Sequence, residues 1–395
     1  MPGLRRLPLA YIVYFAAVGA AFPYLPVFYH DLGLNLDAIG AISAIQAATQ
    51  LVTAPIWGGL ADRFPRSRAT LPAAAVFASL GAAILLTASN LVGAIVGGSI
   101  LFAGLAGTGP VLDARSLEIL GASRREKYGQ VRAWGSVSFV VSATAVGILL
   151  DRFGARSIFA IYLPALLLTA AVTATLPRRG TGRSPSILRG AGELLRAPGI
   201  PLFLGGVFLV WTSLSAVNAF YSIQITELGG GASLVGLAWA VGAVVEVPIM
   251  FNFGRLSKRF GTERLLIFGT SMFVVRTLVS ALAQDPAALV AVSVLEGLSF
   301  STFFVGGVTY VAGLAPAGLA GTGQGMFAAT AGLATIVGSG LGGLVAGWLG
   351  IPGLFGVAAA AHLGAAIVVA LAIRRGPRLR ADAPAPRGAE PAGPS

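Results

Sequence analysis

The run GGLADRFPRSR (Gly58–Arg68) returns 196 positions later as GRLSKRFGTER (Gly254–Arg264), with Gly, Leu, Arg, Phe and Arg in the same places. Another landmark keeps this offset, since Gly40 falls on Gly236. A constant offset along the chain indicates two copies of one structural unit, each about half of the 395 residues. The repeat therefore predicts a protein built from two related halves.

The composition of the chain indicates a membrane protein. Only 11% of the residues are charged, 56% are hydrophobic, and the mean hydropathy is +0.83. A soluble domain carries roughly 25% charged residues. The apolar runs approach the ~20 residues that cross a bilayer as a helix. We predict an all-α membrane protein with twelve transmembrane helices in two pseudo-symmetric six-helix bundles. The predicted spans lie near 9–28, 38–60, 69–89, 91–114, 130–150, 157–176, 202–225, 234–254, 264–283, 286–313, 322–347 and 353–374.

Two polar stretches divide the chain into four predicted regions. An Arg-, Gly- and Pro-rich stretch separates the sixth predicted span from the seventh, and the last residues contain too few apolar side chains to fold. We predict an N-terminal six-helix bundle over 1–176, a cytoplasmic linker over 177–200, a C-terminal six-helix bundle over 201–375 and a disordered cytoplasmic tail over 376–395.

The net charge of +12 follows the predicted topology. With the amino terminus inside and twelve spans, Arg152 and Arg156 fall outside and Arg276 within a span, while the other Lys and Arg residues lie on the cytoplasmic side. Such an excess of basic residues on the inner side sets the orientation of membrane proteins. We therefore expect both termini in the cytoplasm, an inner (plasma) membrane location, and no nucleic-acid partner.

The sequence lacks the residues that several kinds of chemistry require. The chain has no cysteine, and its two histidines, His30 and His362, lie far apart, so we expect no metal site. It contains neither a phosphate-binding loop nor a nucleophile–base pair, so we expect no cofactor, no direct use of ATP and no enzyme activity. We expect a monomer whose partners are lipid, protons and a small-molecule solute.

The Gly58–Arg68 run closely resembles the loop signature of the major facilitator superfamily, and its repeat lies at the matching place in the second half. The resemblance implies that Asp62 acts as a gating residue, paired with a basic group or a helix amino terminus in one conformation and released in the other. The alternative is a topology determinant with solvated charges. The predicted gating residues are Gly58, Asp62, Arg63, Arg66, Gly254, Arg259 and Gly261.

Three further segments narrow the resemblance. Tyr128–Ser136, Gly109–Ala114 and Phe22–Phe28 are similar to segments of the branch that contains lactose permease, nucleoside:proton symporters and phenylpropionate permeases. The resemblance implies the fold of that superfamily, with two bundles that rock around a central site. The similarity extends over nearly all of the chain before the tail.

The resemblance also implies a substrate-binding pair in the first half, Asp113 and Arg132. Together they offer acceptors and a fork of donors to a polar ligand. The alternative is a salt bridge that ties two helices together at a gate. At the position that matches Phe139, lactose permease has a tryptophan that stacks on the sugar ring. This difference argues against a galactoside as the solute. The predicted substrate-binding residues are Asp113, Arg132, Phe139, Tyr24, Gln50 and Asn218.

Three charged residues lie in the interior of the eighth, ninth and tenth predicted spans: Glu246, Arg276 and Glu296. An ionisable group at the bilayer centre costs ~2.5–3.5 kcal/mol, so a function is its default interpretation. Burial favours the protonated carboxyl group and a nearby arginine favours the carboxylate, so movement of the arginine changes proton affinity. We predict that Glu246 or Glu296 carries a proton and that Arg276 sets its affinity. The alternative is a static ion-pair cluster.

The paired repeat and the charges within spans indicate a secondary transporter that works by alternating access. We predict proton-coupled symport of a sugar, nucleoside or aromatic acid. Two alternatives stay open: a proton-coupled efflux antiporter for drugs or metabolites, and a non-transporting membrane sensor of the same fold.

Overall fold

The computed structural model describes residues 2–64, 68–121, 127–177, 191–315 and 319–376. Within these ranges the chain is helical and has no strand. The predicted tail from 377 onward and most of the predicted linker lie outside the described residues. The helices are α1 (Pro2–Ala21), α2 (Leu25–Asp31), α3 (Leu36–Arg63), α4 (Thr70–Thr87), α5 (Leu91–Leu120), α6 (Tyr128–Phe153), α7 (Ile158–Ala174), α8 (Ala191–Arg196), α9 (Ile200–Glu227), α10 (Ala232–Phe260), α11 (Thr262–Leu282), α12 (Pro286–Leu314) and α13 (Ala320–Arg375).

Eleven helical segments of the described residues are long and apolar enough to cross a membrane, where the sequence predicts twelve. The difference lies in α13, whose 56 residues continue without an intervening loop. At 1.5 Å per residue it would measure about 84 Å, against ~30 Å for the hydrocarbon core. Gly350 interrupts it with φ 72° and ψ 171°, a conformation open almost only to glycine. α13 thus has two arms, 320–349 and 351–375, and the highly exposed Trp348 lies beside the break.

The first membrane segment is also interrupted, between α1 and α2. Pro23 and Pro26 lack the N–H group that a continuous helix needs, and Pro26 lies in the first turn of α2. The backbone turns at residues 22–24, where Tyr24 N donates to Ala21 O. The break leaves Phe22 49% exposed and Tyr24 fully buried, and both side chains become important for the site.

Helices of the same half form most of the packing. In the first half α1 packs against α6 and α7, and α4 packs against α5 and α7. In the second half α9 and α11 pack against α13, and α10 packs against α12. Glycine allows the closest approaches: a Cβ on Gly81 of α4 would clash with the backbone of Leu101 of α5. Small residues at such crossings are usual in membrane helices.

The two halves meet chiefly at one end, which we call the sealed end: the starts of α3 and α10, the end of α6 and the middle of α13. There α3 packs on α13 and α6 packs on α10. The Cα of Gly343 lies 2.5 Å from where a Cβ on Gly40 would be. A Cβ on Gly147 of α6 would lie 2.6 Å from the carbonyl oxygen of Ala232 in α10. The backbones of the two halves are therefore in contact.

At the opposite end, which we call the open end, the helices are further apart. It contains the end of α3, the start of α6 and the end of α10. A Cβ on Gly58 or Gly59 of α3, or on Gly254 or Gly261 of the second half, would meet no described atom within 4 Å. A Cβ on Gly129 of α6 would lie 3.6 Å from the side chain of Phe251 of α10, so the halves approach each other here through a side chain, whereas their backbones are in contact at the sealed end. The predicted boundaries of the two bundles stay a prediction.

Candidate functional site

A cavity of about 390 Å³ lies between the two halves. Residues of α1 and α6 line it from the first half, and residues of α9–α12 line it from the second. Seven aromatic side chains contribute: Phe15, Phe22, Phe139, Trp211, Tyr221, Trp239 and Phe300. The charged and amide side chains are Arg132, Asn218, Glu246, Arg276 and Glu296, with hydroxyl groups from Ser136 and Ser293. Apolar walls with a few polar groups are typical of small-molecule sites.

Arg276 of α11 is a buried charge in the cavity wall. Its side chain is 2% exposed, and its Nη1 lies 2.8 Å from Oε2 of Glu296, which is 17% exposed. Its Nη2 donates to Oδ1 of Asn218 at 3.4 Å, and its guanidinium carbon lies 4.9 Å from the centre of the Tyr221 ring. The Nη1–Oε2 contact lacks hydrogen-bond geometry, so it is an ion pair without a directed bond.

Glu246 of α10 lines the same cavity without a partner of this kind. Among the described residues no basic group lies within 4.0 Å of its carboxylate, although Glu296 and Arg132 are close enough to interact electrostatically. α10 and α12 are in close contact here, because a Cβ on Gly297 would lie 2.5 Å from the carbonyl oxygen of Gly242. Glu296 is thus ion-paired, whereas Glu246 has no ion-pair partner among the described residues. All three predicted proton-coupling residues line one cavity.

The predicted pair in the first half is separated by aromatic rings. Oδ1 of Asp113 accepts a 2.6 Å hydrogen bond from the hydroxyl group of Tyr11. The guanidinium of Arg132 stacks instead over Phe15, 4.0 Å from the ring centre, and lies 5.9 Å from the ring of Tyr11. Of the described residues, Arg132 lines the cavity and Asp113 does not. Tyr11 therefore connects the two groups without a direct ion pair.

The other predicted substrate-binding residues separate into two sets. Phe139 and Asn218 line the cavity. Tyr24 is buried at the sealed end, where its hydroxyl donates to Ala143 O at 2.5 Å. Gln50 lies on an exposed part of α3. The lining found among the described residues includes neither of these two, and their role in binding stays a prediction.

Sequence reasoning did not identify three phenylalanines of the cavity, Phe15, Phe22 and Phe300. Phe22 of the first half packs edge-on against Trp239 of α10, with ring centres 5.2 Å apart and planes at 83°. The indole N–H of Trp239 donates to Ser222 Oγ at 3.3 Å. Phe15 and Phe300 also line the cavity. In the sequence, Phe22 was distinguished by its position directly before the first proline of a broken helix. The other two had no such signal, because phenylalanine is common throughout these spans.

The predicted gating residues lie at the open end. Asp62 and Arg63 form the last turn of α3; the side chain of Asp62 and all of Arg66 lie outside the described residues. Arg259 stacks over Phe260, 5.3 Å from the ring centre. Gly261 ends α10 with φ 86°. Of the described gating residues, all but Gly261 lie in the last turns of α3 and α10 and not in the connecting loops, and the gating role stays a prediction.

The described residues contain no group of three or more His, Cys, Asp or Glu that could hold a metal ion. His362 is fully buried in the second arm of α13, where its Nδ1 lies 3.2 Å from Oγ1 of Thr277. Its ring stacks on Phe273 at 5.2 Å. This histidine therefore supports the helix that carries Arg276.

Comparison with known proteins identifies the family. The model of the MFS_1 like family matches residues 4–356. The chain belongs to this family. It is 31% identical over 350 residues to the maltose permease of Geobacillus stearothermophilus, covering 87% of this chain and 86% of that protein. It is 25% identical over 324 residues to a probable 3-phenylpropionic acid transporter of Escherichia coli (strain K12), covering 78% and 82%.

The fold agrees with this relationship. A crystal structure of the nucleoside transporter NupG superimposes with a TM-score of 0.84 at 16% identity, covering 95% of this chain and all of that one. The MFS_1 like protein described here is therefore an integral membrane protein of a transporter family with the major facilitator fold. The predicted superfamily is confirmed.

Proposed function

We propose that this protein is a proton-coupled secondary transporter that carries a small organic solute by alternating access. The observation that carries the proposal is the cavity between the two halves, with a paired acid, Glu296, and a free acid, Glu246, in its wall. Intramembrane charges that face a cavity are expected on substrate or proton pathways. Placing these charges in the membrane costs free energy, and a role in transport explains why the protein contains them.

The proposed topology has twelve crossings. Each arm of α13, 320–349 and 351–375, exceeds the ~20 residues that a crossing requires, so the break at Gly350 supports two crossings. An even number places both termini on one side, and the basic residues favour the cytoplasm. The open end then faces the cytoplasm of a plasma-membrane protein whose repeats, 1–176 and 201–375, act as two bundles.

The proposed proton step uses the arrangement around Arg276. While Arg276 pairs with Glu296, that carboxylate is stabilised in its ionised form. Glu246 lacks such a partner and lines the same cavity as Glu296, so uptake of a proton by Glu246 would remove the repulsion between two ionised acids. If Arg276 turns from Glu296 to Glu246 when the halves move, Glu246 releases its proton and Glu296 becomes able to bind one. Access and protonation are then coupled through one side chain.

The proposed solute has a polar group and an apolar ring. Arg132 and Asn218 offer hydrogen-bond donors from opposite halves, and the aromatic walls offer ring faces. Such a cavity suits a sugar, a nucleoside or an aromatic acid, and the names of two relatives fall within this range. Asp113, Tyr24 and Gln50 would then act on the cavity indirectly.

The test is uptake into proteoliposomes loaded with a pH-sensitive dye. Maltose, 3-phenylpropionate and uridine serve as probes, each with and without an inward proton gradient. We expect one of them to enter faster with the gradient and to acidify the lumen. Glu246→Gln or Glu296→Gln should abolish the gradient effect while solute exchange continues. Glu227→Gln, an exposed acid at the end of α9, is the matched control. Undiminished coupling in both cavity variants would refute the proton step.

A proton-coupled efflux antiporter is the second candidate. It is favoured by the seven aromatic rings of the cavity, which suit hydrophobic compounds. The same proteoliposomes distinguish the two, since an antiporter alkalinises the lumen when a hydrophobic dye moves inward. Proton movement in neither direction, with any probe, would favour a sensor.

A further inference from the structure

A carboxylate at the sealed end joins the two halves. Asp151, near the end of α6, accepts a 2.6 Å hydrogen bond from the backbone N of Ala232 and a 3.1 Å bond from that of Ser233. These are the first two residues of α10. The preceding residue, Gly231, has no side chain and provides no cap of its own. A carboxylate of one half therefore caps a helix of the other half.

The chemistry of this contact is favourable. The first N–H groups of a helix have no partner within the helix, and the helix dipole places partial positive charge there. A carboxylate that accepts two of these N–H groups forms charge-assisted hydrogen bonds, which are about twice as strong as neutral ones. The hydrogen bonds of Asp151 therefore stabilise the contact between the two halves in addition to apolar packing.

The residues around Asp151 bring the two backbones close enough for this contact. The hydroxyl of Tyr24 donates to Ala143 O of α6 at 2.5 Å and lies 3.3 Å from Ala232 O of α10. A Cβ on Gly236 would lie 2.6 Å from Ala143 O. Any side chain at Gly236 would thus push α10 away from α6. Separation of α6 from α10 would therefore break the cap.

We propose that Asp151 is a positioning residue of the transport cycle, which holds the cavity toward the open end by capping α10 from the opposite half. The inference rests on the proposed alternation of access. An interaction made in one state and lost in the other shifts the equilibrium between them. Because α10 also carries Trp239 and Glu246, release of the cap frees the helix that contributes both to the cavity.

The test measures distances between spin labels in nanodiscs without solute. The chain has no cysteine, so each introduced pair reports alone. Ser89→Cys with Gln284→Cys spans the sealed end, and Lys127→Cys with Lys258→Cys spans the open end. Asp151→Asn and Asp151→Ala should raise the ratio of long to short distances at the sealed end about tenfold, and shorten the open-end distance. Asp151→Glu, which keeps the carboxylate, should restore part of the original distribution.

The matched control is Asp285→Asn. Asp285 lies at the same end and caps α12 by accepting from Ala287 N at 2.8 Å, but both residues belong to the second half. We expect this variant to leave both distances unchanged. Unchanged distances in Asp151→Asn and Asp151→Ala, or an equal shift in Asp285→Asn, would overturn the inference.

A folding defect has its own outcome. If neither Asp151→Asn nor Asp151→Ala yields folded protein while Asp285→Asn does, Asp151 has a purely structural role and the inference is wrong. Tyr24→Phe, which removes only a hydroxyl from the same interface, gives a milder second measurement and should shift the sealed end in the same direction. No step requires transport, so failed uptake would leave these distances interpretable, and unchanged distances would leave the proton proposal standing.

Discussion

Removal of one member of the Arg276–Glu296 pair should destabilise the protein more than removal of both. Arg276→Gln leaves a carboxylate that is only 17% exposed without its counter-charge, and also removes the stacking on Tyr221. Breaking a buried ion pair costs ~3–5 kcal/mol, and partial access of water to Glu296 favours the lower value of about 3 kcal/mol. Glu296→Gln should cost about as much, because Arg276 is then a buried charge without a partner.

The double variant, Arg276→Gln with Glu296→Gln, leaves no uncompensated charge. Its remaining cost is the lost stacking and the lost bond to Asn218, about 1–2 kcal/mol in total. The free energy of unfolding should therefore fall less in the double variant than in either single one. Additive costs would refute the reasoning, because independent side chains show no such coupling.

The assay is equilibrium unfolding in detergent at two pH values, with Arg255→Gln as control. Arg255 is exposed on α10 and donates to Asn252, so its loss should be without measurable effect. The cost of Arg276→Gln should shrink as the pH falls, because a protonated Glu296 needs no counter-charge. A cost that grows at low pH would contradict the ion-pair explanation.

Two further substitutions test the backbone and the first half. Gly350→Ala should lower the free energy of unfolding by about 1–3 kcal/mol, because φ 72° with ψ 171° is open almost only to glycine. The control is Gly364→Ala in the same helix, which should be neutral or stabilising. Thermal unfolding compares the two variants, and equal effects would contradict the explanation. Tyr11→Phe should cost about 1.5–3 kcal/mol by removing the hydrogen bond to the carboxylate of Asp113, and Tyr14→Phe is its control. Equal melting temperatures for these two variants would show that the hydroxyl of Tyr11 contributes nothing.

The repeat and the apolar runs were sufficient to predict the helices, because membrane helices satisfy their own backbone hydrogen bonds and need a fixed length. They also predicted that Glu246, Arg276 and Glu296 share one region, since a carboxylate or a guanidinium in lipid is costly. The break in α13 was predicted as two separate spans, 322–347 and 353–374. The structure instead joins them through one glycine, a turn too short to leave a polar loop in the sequence.

Contacts between distant residues could not be read from the sequence. Asp113 and Arg132 form no direct pair because Tyr11, about a hundred positions earlier, lies between them in space. Tyr24 turns away from the cavity because the helix break rotates it toward Ala143. Both outcomes depend on where a third helix lies, and periodicity within one segment carries no information about that.

The single-residue turn at Gly350 has a mechanical consequence. The first arm of α13 contacts α3 through Gly343, and the second arm contacts α11 through His362 and Thr277. Because a single residue joins the two arms, sliding of the first arm along α3 would also displace the second arm. The second arm in turn contacts Thr277, which follows Arg276 in α11. A displacement at the contact between the halves would in this way be mechanically linked to Arg276 in the cavity wall.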